Sequence, residues 1–71
     1  MTFEEACTAF DDPHALVQPD RRHHDRLLLL GASMRARVLF VVYAEREPGD
    51  VIRLISARKA TRHERKTYED E

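Results

Sequence analysis

Arg37-Val38-Leu39-Phe40-Val41-Val42-Tyr43 is the stretch whose reading decides the fold of this chain. Its β-branched and aromatic side chains favour extended backbone, where they pack well on a pleated surface. Outward from it, Ser33-Met34-Arg35-Ala36 predicts a tight turn before the strand, and residues 45–50, with Pro48-Gly49, predict another after it. Those turns lead to two further apolar runs. Leu27-Leu28-Leu29-Leu30-Gly31-Ala32 is too short for a stable helix and meets a glycine, so it predicts a strand buried on both faces. Val51-Ile52-Arg53-Leu54-Ile55-Ser56 predicts a third strand, with Val51, Arg53 and Ile55 on one face and Ile52, Leu54 and Ser56 on the other. Two short connections imply an antiparallel meander.

The ends of the chain read as helices. Phe3, Ala6, Cys7 and Phe10 recur at helical spacing, and Thr2 followed by Glu5 makes a capping box, which predicts a short helix over residues 3–10. It stops before Asp11-Asp12-Pro13, because proline disfavours helical backbone in the residue before it. Thr61 and Glu64 form a second capping box and predict a C-terminal helix from about residue 62 to 70. Between them, residues 14–25 are polar apart from Ala15, Leu16 and Val17 and predict an extended loop or edge strand. The expected class is α+β: a small antiparallel three-stranded sheet with a short N-terminal helix and a C-terminal helix. Phe3, Phe10 and Phe40 are expected in the core, with Cys7 as a small buried side chain. Two of the strands look apolar on both faces, so one sheet face needs cover from elsewhere.

Composition sets the bounds. The chain has 71 residues, 42% hydrophobic and 35% charged, with two Gly and three Pro, which is globular and neither disordered nor collagen-like. One domain over residues 1–71 is expected. A chain this short buries only about 60% of its unfolded surface and usually needs reinforcement. Cys7 is the single cysteine, so no internal disulfide can supply it; a reducing cytosol and a supporting second chain are expected. No apolar run reaches the length of a membrane span, and Met1-Thr2-Phe3-Glu4-Glu5 has acids where an export signal has basic residues, so no membrane association is expected.

The net charge of -1 hides a segregation. Residues 1–20 hold Glu4, Glu5, Asp11, Asp12 and Asp20 and no Lys or Arg. Residues 21–37 hold Arg21, Arg22, Arg26, Arg35 and Arg37 against Asp25, and residues 53–66 hold Arg53, Arg58, Lys59, Arg62, Arg65 and Lys66 against Glu64. An acidic patch follows the middle strand and an acidic tail, Glu69-Asp70-Glu71, closes the chain. Of the 12 Lys and Arg, all but Lys59 and Lys66 are Arg, whose planar fork suits phosphate and carboxylate.

Several chemistries are poorly supported. His23 and His24 are adjacent, His14 and His63 lie far off in sequence, and one cysteine makes no thiolate pair, so no metal and no cofactor is expected. Gly31 and Gly49 are isolated and make no phosphate loop, and Ser33 and Ser56 lack a glycine-flanked nucleophile elbow. What remains is the arginine constellation: Arg53, Arg58, Arg62 and Arg65, beside Tyr68. Arginines sharing an anion bind a phosphodiester, and in a shielded site they stabilise a pentacoordinate phosphate transition state. Metal-free RNA cleavage asks for little more, since the substrate's 2'-hydroxyl is the nucleophile. Glu64, His63, His24 and Tyr68 are candidate proton carriers. Nucleic-acid binding through the arginine clusters alone is the other chemistry this pattern allows.

Phe3-Glu4-Glu5-Ala6, Phe10-Asp11-Asp12-Pro13, Gly31-Ala32-Ser33 and above all Ile52-Arg53-Leu54-Ile55-Ser56-Ala57-Arg58-Lys59-Ala60, with Glu64 and Tyr68-Glu69, resemble the BrnT family of bacterial toxins. The resemblance covers essentially the whole chain. It implies a RelE-like fold, a ribonuclease that halts translation, and a BrnA-type antitoxin that neutralises it, in a homodimer or a toxin-antitoxin heterotetramer. It implies Arg58 as the catalytic or phosphate-binding cation, joined by Arg53, Arg37, Glu64 and Tyr68. Lys59, Arg62 and Arg65 are expected to bind RNA through charge alone. His23-His24-Asp25 stands where the family often has His-Ser-Glu. The family usually opens with a Phe-x-Trp-Asp strand and a helix ending near Lys-His-Gly, which this sequence does not contain. That departure leaves a second expectation beside the nuclease: a truncated, inactive toxin that keeps only an antitoxin-binding or dimerisation surface.

Overall fold

The computed structural model describes residues 2–45, 47 and 51–70. Helix α1 (Phe3–Thr8) runs into a 3-10 turn (Ala9–Asp11), followed by β1 (Leu16–Pro19), β2 (Arg26–Ala32), β3 (Val38–Ala44), β4 (Arg53–Lys59) and α2 (Arg62–Asp70). The strands form one antiparallel sheet in the order β1-β2-β3-β4. The α+β class is as expected, but the sheet has four strands, not three. The extra strand comes from the segment that read as loop or edge: Leu16 pairs with Leu30 and Pro19 with Leu27. Proline is tolerated there because an edge strand leaves half its N–H groups unpaired. The turn expected over 45–50 lies outside the described residues apart from Glu45 and Glu47.

β2 and β3 are joined by five residues, 33–37. Ser33 N–H donates to the Arg37 carbonyl at 2.8 Å, and Ala36 sits at φ 60°, the left-handed position that such a loop requires before it re-enters the strand.

Burial alternates along β2 and β3, so the sheet has one closed face and one half-open face. Leu29, Leu39, Val41 and Tyr43 point to the closed face, where Ala9 seals them and Phe10 meets Tyr43 edge-on, with ring centroids 4.9 Å apart. The expectation of a strand buried on both faces is corrected here: Leu28 and Leu30, on the other side of β2, are only half-buried. The two helices are divided between the faces. α1 and its 3-10 turn cover the first, and α2 crosses one end of the second, where its Thr67 lines a recess with Leu28, Leu30 and Phe40. Phe3 is corrected as well, since it is 66% exposed and outside the core.

The first capping box forms by half. Thr2 Oγ1 accepts from Glu5 N–H at 3.1 Å, but the Glu5 carboxylate is drawn inward. The second forms in full: Glu64 N–H donates to Thr61 Oγ1 at 3.1 Å and Thr61 N–H donates to Glu64 Oε1 at 2.8 Å, at the start expected for α2.

Candidate phosphate-binding face

β4 departs from regular alternation in a way that matters for its arginines. Val42 pairs with Ser56 but Tyr43 pairs with Leu54, so Ile55 is an extra residue, a β-bulge. In a regular strand Arg53 and Arg58, five positions apart, would point to opposite faces. The bulge resets the alternation. Arg58 pairs with Phe40 and Arg53 with Ala44, and residues directly opposite share a face, so both arginines stand on the half-open side with Phe40 and Val42. The alternation expected from sequence, which set Arg53 apart from Leu54 and Ser56, holds only up to this bulge.

Arg58 is the best-held cation of this face. Its Cζ lies 4.4 Å from the centroid of the Phe40 ring, so the guanidinium rests on the aromatic face. Nη1 donates to Glu64 Oε1 at 2.8 Å and Nη2 to Oε2 at 2.9 Å, and Nη1 also donates to the Lys59 carbonyl at 3.2 Å. A guanidinium has five N–H donors. With three engaged, the two that remain are Nε–H and one on Nη2, which together form one parallel edge matched to two oxygens of a phosphate. Half of the Arg58 side chain is exposed, and its hydrogen bonds to Lys59 and Glu64 leave that edge unengaged.

Glu64 is fixed by the same contacts. The bond from Arg58 holds its carboxyl at about 2, against the opposing effect of burial and with help from Thr61 N–H. A carboxylate so acidic and so fully engaged holds Arg58 in place and is poorly suited to accept a proton. Tyr68, one turn on, donates its hydroxyl to Asp12 Oδ2. That bond first, and burial second, raise the Tyr68 pKa. Asp12 also accepts from Ala32 N–H at 2.8 Å and His14 N–H at 2.9 Å, and together these bonds lower its pKa although burial pushes it up. Tyr68 thus pins α2 to the end of β2.

The other expected site residues separate from Arg58. Arg37 precedes β3 on the closed side, where its fork grips Glu5, with Nε 2.9 Å from Oε2. Glu5 is 2% exposed and also accepts from Ser33 Oγ at 2.8 Å. The Arg37 bond above all, with Ser33 adding to it, lowers the Glu5 carboxyl to about 2 against its burial. Arg37 therefore ties α1 to the β2–β3 hairpin. Lys59 pairs with Leu39, which places it on the closed side too. Arg62 and Arg65 are exposed, while the residues of α2 turned to the sheet are Glu64, Thr67 and Tyr68. His63 is exposed on the first turn of α2, and His24 lies in the β1–β2 loop at the opposite end of the sheet.

Sequence reading missed Glu5 and Asp12 as structural carboxylates. Glu5 stands one helical turn before buried Ala9, and that spacing is the signal that was available. Asp12 carried only a turn signal, because its partners Ala32 and Tyr68 are distant in sequence.

The family of ribonuclease toxins, BrnT, of type II toxin-antitoxin systems matches residues 1–64. The chain belongs to the BrnT family. As a BrnT toxin it has ribonuclease activity and an antitoxin as its partner. Among curated proteins, none matches the chain. The BrnT match ends at Glu64, so it includes both Arg58 and the carboxylate that holds it, and leaves Tyr68 outside. No described helix is long and apolar enough to cross a membrane.

Proposed function

We propose that this chain is a metal-independent endoribonuclease that stops translation by cutting RNA, with Arg58 as the group that contacts the scissile phosphate. The observation that carries the reading is the Arg58 arrangement: a guanidinium stacked on Phe40, gripped on one edge by Glu64, with a second parallel edge open. In this mechanism the substrate's 2'-hydroxyl gives its proton to solvent water as it attacks the adjacent phosphorus, the bond to the 5'-oxygen breaks and that oxygen takes a proton from water, so a cyclic phosphate and a 5'-hydroxyl end result. Negative charge builds on the non-bridging oxygens as the fifth bond forms, and the open Arg58 edge meets it. Glu64 is a positioning residue. It fixes the guanidinium before substrate arrives, so no ordering is needed at the moment of reaction. Arg53, brought to the same face by the bulge, adds to the attraction for the backbone. Arg37 and Tyr68 support the fold, and Lys59, Arg62 and Arg65 add only diffuse positive charge. Residues 1–71 act as one toxin domain, neutralised by a BrnA-type antitoxin.

The test is cleavage of a labelled RNA with chelator present. Arg58→Ala should lower the rate by about a hundredfold to a thousandfold, the loss typical of removing one transition-state donor. Arg58→Lys keeps the charge without the fork and should recover only part of it. Growth arrest on expression should follow the same order. Undiminished cleavage by folded Arg58→Ala would remove Arg58 from the mechanism.

A further inference from the structure

The half-open face carries a second group of cations at the end away from α2. Arg26 opens β2 and pairs with Ala44, and Ala44 pairs on its other side with Arg53. These three make one row across the sheet, two guanidiniums flanking a methyl group. Arg26 shares its face with Leu28 and Leu30 by alternation, and Arg53 shares the face of Arg58 because of the bulge. Among the described residues, neither Arg26 nor Arg53 takes part in an ion pair. Asp20 lies beside the row, its N–H donating to the Arg26 carbonyl at 3.1 Å and its carboxylate accepting from Arg22 N–H at 2.9 Å. Asp25 adjoins the row in sequence and offsets part of its charge.

Between this row and Arg58 lies an apolar floor. A recess of about 270 Å³ is lined by Leu16, Leu28, Leu30 and Phe40 among others, and Gln18 and Leu28 carry it on into a second recess of about 320 Å³ rimmed by Asp20, Arg21 and Arg22. Phe40 and Ala44 are four residues apart along β3, so the two cationic ends are separated by roughly 13 Å of strand. A floor that is apolar in the middle and cationic at both ends complements a polyanion whose bases are free to lie down on it. Duplex nucleic acid hides its base faces; a single strand exposes them.

The geometry points to a second phosphate subsite at Arg26 and Arg53, so that single-stranded RNA lies along β2 and β3 with one phosphate at Arg58, bases over the leucine floor and a further phosphate at this row. The inference rests on the reading of Arg58 as the cleavage end. The bulge at Ile55 is what gives β4 a cation at each end of the same face.

The test is fluorescence anisotropy with a fluorescein-labelled, single-stranded 2'-O-methyl oligoribonucleotide of mixed sequence, which cannot supply the attacking hydroxyl, measured over a range of salt. Each phosphate contact on a single strand contributes about 0.7 to the slope of log affinity against log salt. The double variant Arg26→Gln/Arg53→Gln should reduce that slope by about 0.7 to 1.4, with weaker binding at every salt concentration. Arg35→Gln, which removes a cation from the β2–β3 hairpin, should leave the slope unchanged. Circular-dichroism melts confirm that each variant is folded. A double variant that binds with unchanged slope and affinity overturns the subsite, and so does one that binds RNA normally but no longer holds the antitoxin. Failure of the nuclease reading looks different: wild-type chain leaves ordinary RNA uncut while the double variant still loses slope, in which case the binding face stands without the chemistry.

Discussion

Glu64 has two separable tasks, and replacing it in two ways measures each. Its carboxylate accepts Thr61 N–H at the start of α2 and forms the two-pronged pair with Arg58. Taken at face value, a fall of its pKa from 4.5 to about 2 corresponds to roughly 3 kcal/mol of stabilisation. Half of the Arg58 side chain is in solvent, however, and exposed pairs contribute only about 0.2–1 kcal/mol. Adding about 0.5–1 kcal/mol for the capping bond gives about 1–2 kcal/mol for Glu64→Ala. In a domain of this size each kcal/mol moves Tm by about 4–8 °C, so Glu64→Ala should melt roughly 5–15 °C lower at neutral pH. Glu64→Gln keeps an acceptor for Thr61 N–H and should lose about half as much. The pH dependence fixes the sign. Because the folded pKa lies below the unfolded one, the stabilisation is complete above 4.5 and disappears as pH falls through about 2. Thermal or urea melts from neutral to acid pH should therefore show the wild type converging on Glu64→Gln at the acid end, while its gap to Glu64→Ala narrows to the capping bond that an uncharged carboxyl still accepts. A gap that stays constant with pH, or Glu64→Gln as unstable as Glu64→Ala, would refute this division between cap and ion pair.

Two further substitutions test how the helices are docked. A Cβ at Gly31 would stand 2.8 Å from the Ala9 carbonyl and 3.0 Å from Leu29 Cδ2, so Gly31→Ala must push the 3-10 turn off the sheet. It should cost about 1–3 kcal/mol in urea denaturation, the usual range for overpacking. Tyr68→Phe removes the hydroxyl that pins α2 to Asp12 and should speed hydrogen exchange of α2 amides while the amides of β3, next to the buried core, stay protected. Equal acceleration in both elements would mean that α2 and the sheet open together.

Much of the fold was legible because it depends on local rules. Five β-branched and aromatic residues, Val38, Phe40, Val41, Val42 and Tyr43, marked β3, and two threonine-glutamate spacings marked where both helices begin, as Thr2 and Thr61 show. The arginine content and the Ser-Ala-Arg segment pointed to Arg58. β1 was ambiguous, because four residues ending in proline form a strand only if a longer neighbour offers its edge.

What only the tertiary structure decided is which charges meet. Along the chain Arg37, Arg53 and Arg58 look alike. In the fold, Glu5 of α1 closes over Arg37, Glu64 and Phe40 hold Arg58 with one edge open, and a single inserted residue turns Arg53 to the same face as Arg58. Sequence fixes a side chain's direction only relative to its own strand. A bulge, or a helix docking from a distant segment, changes that direction through backbone pairing and packing, which depend on partners that local sequence does not name.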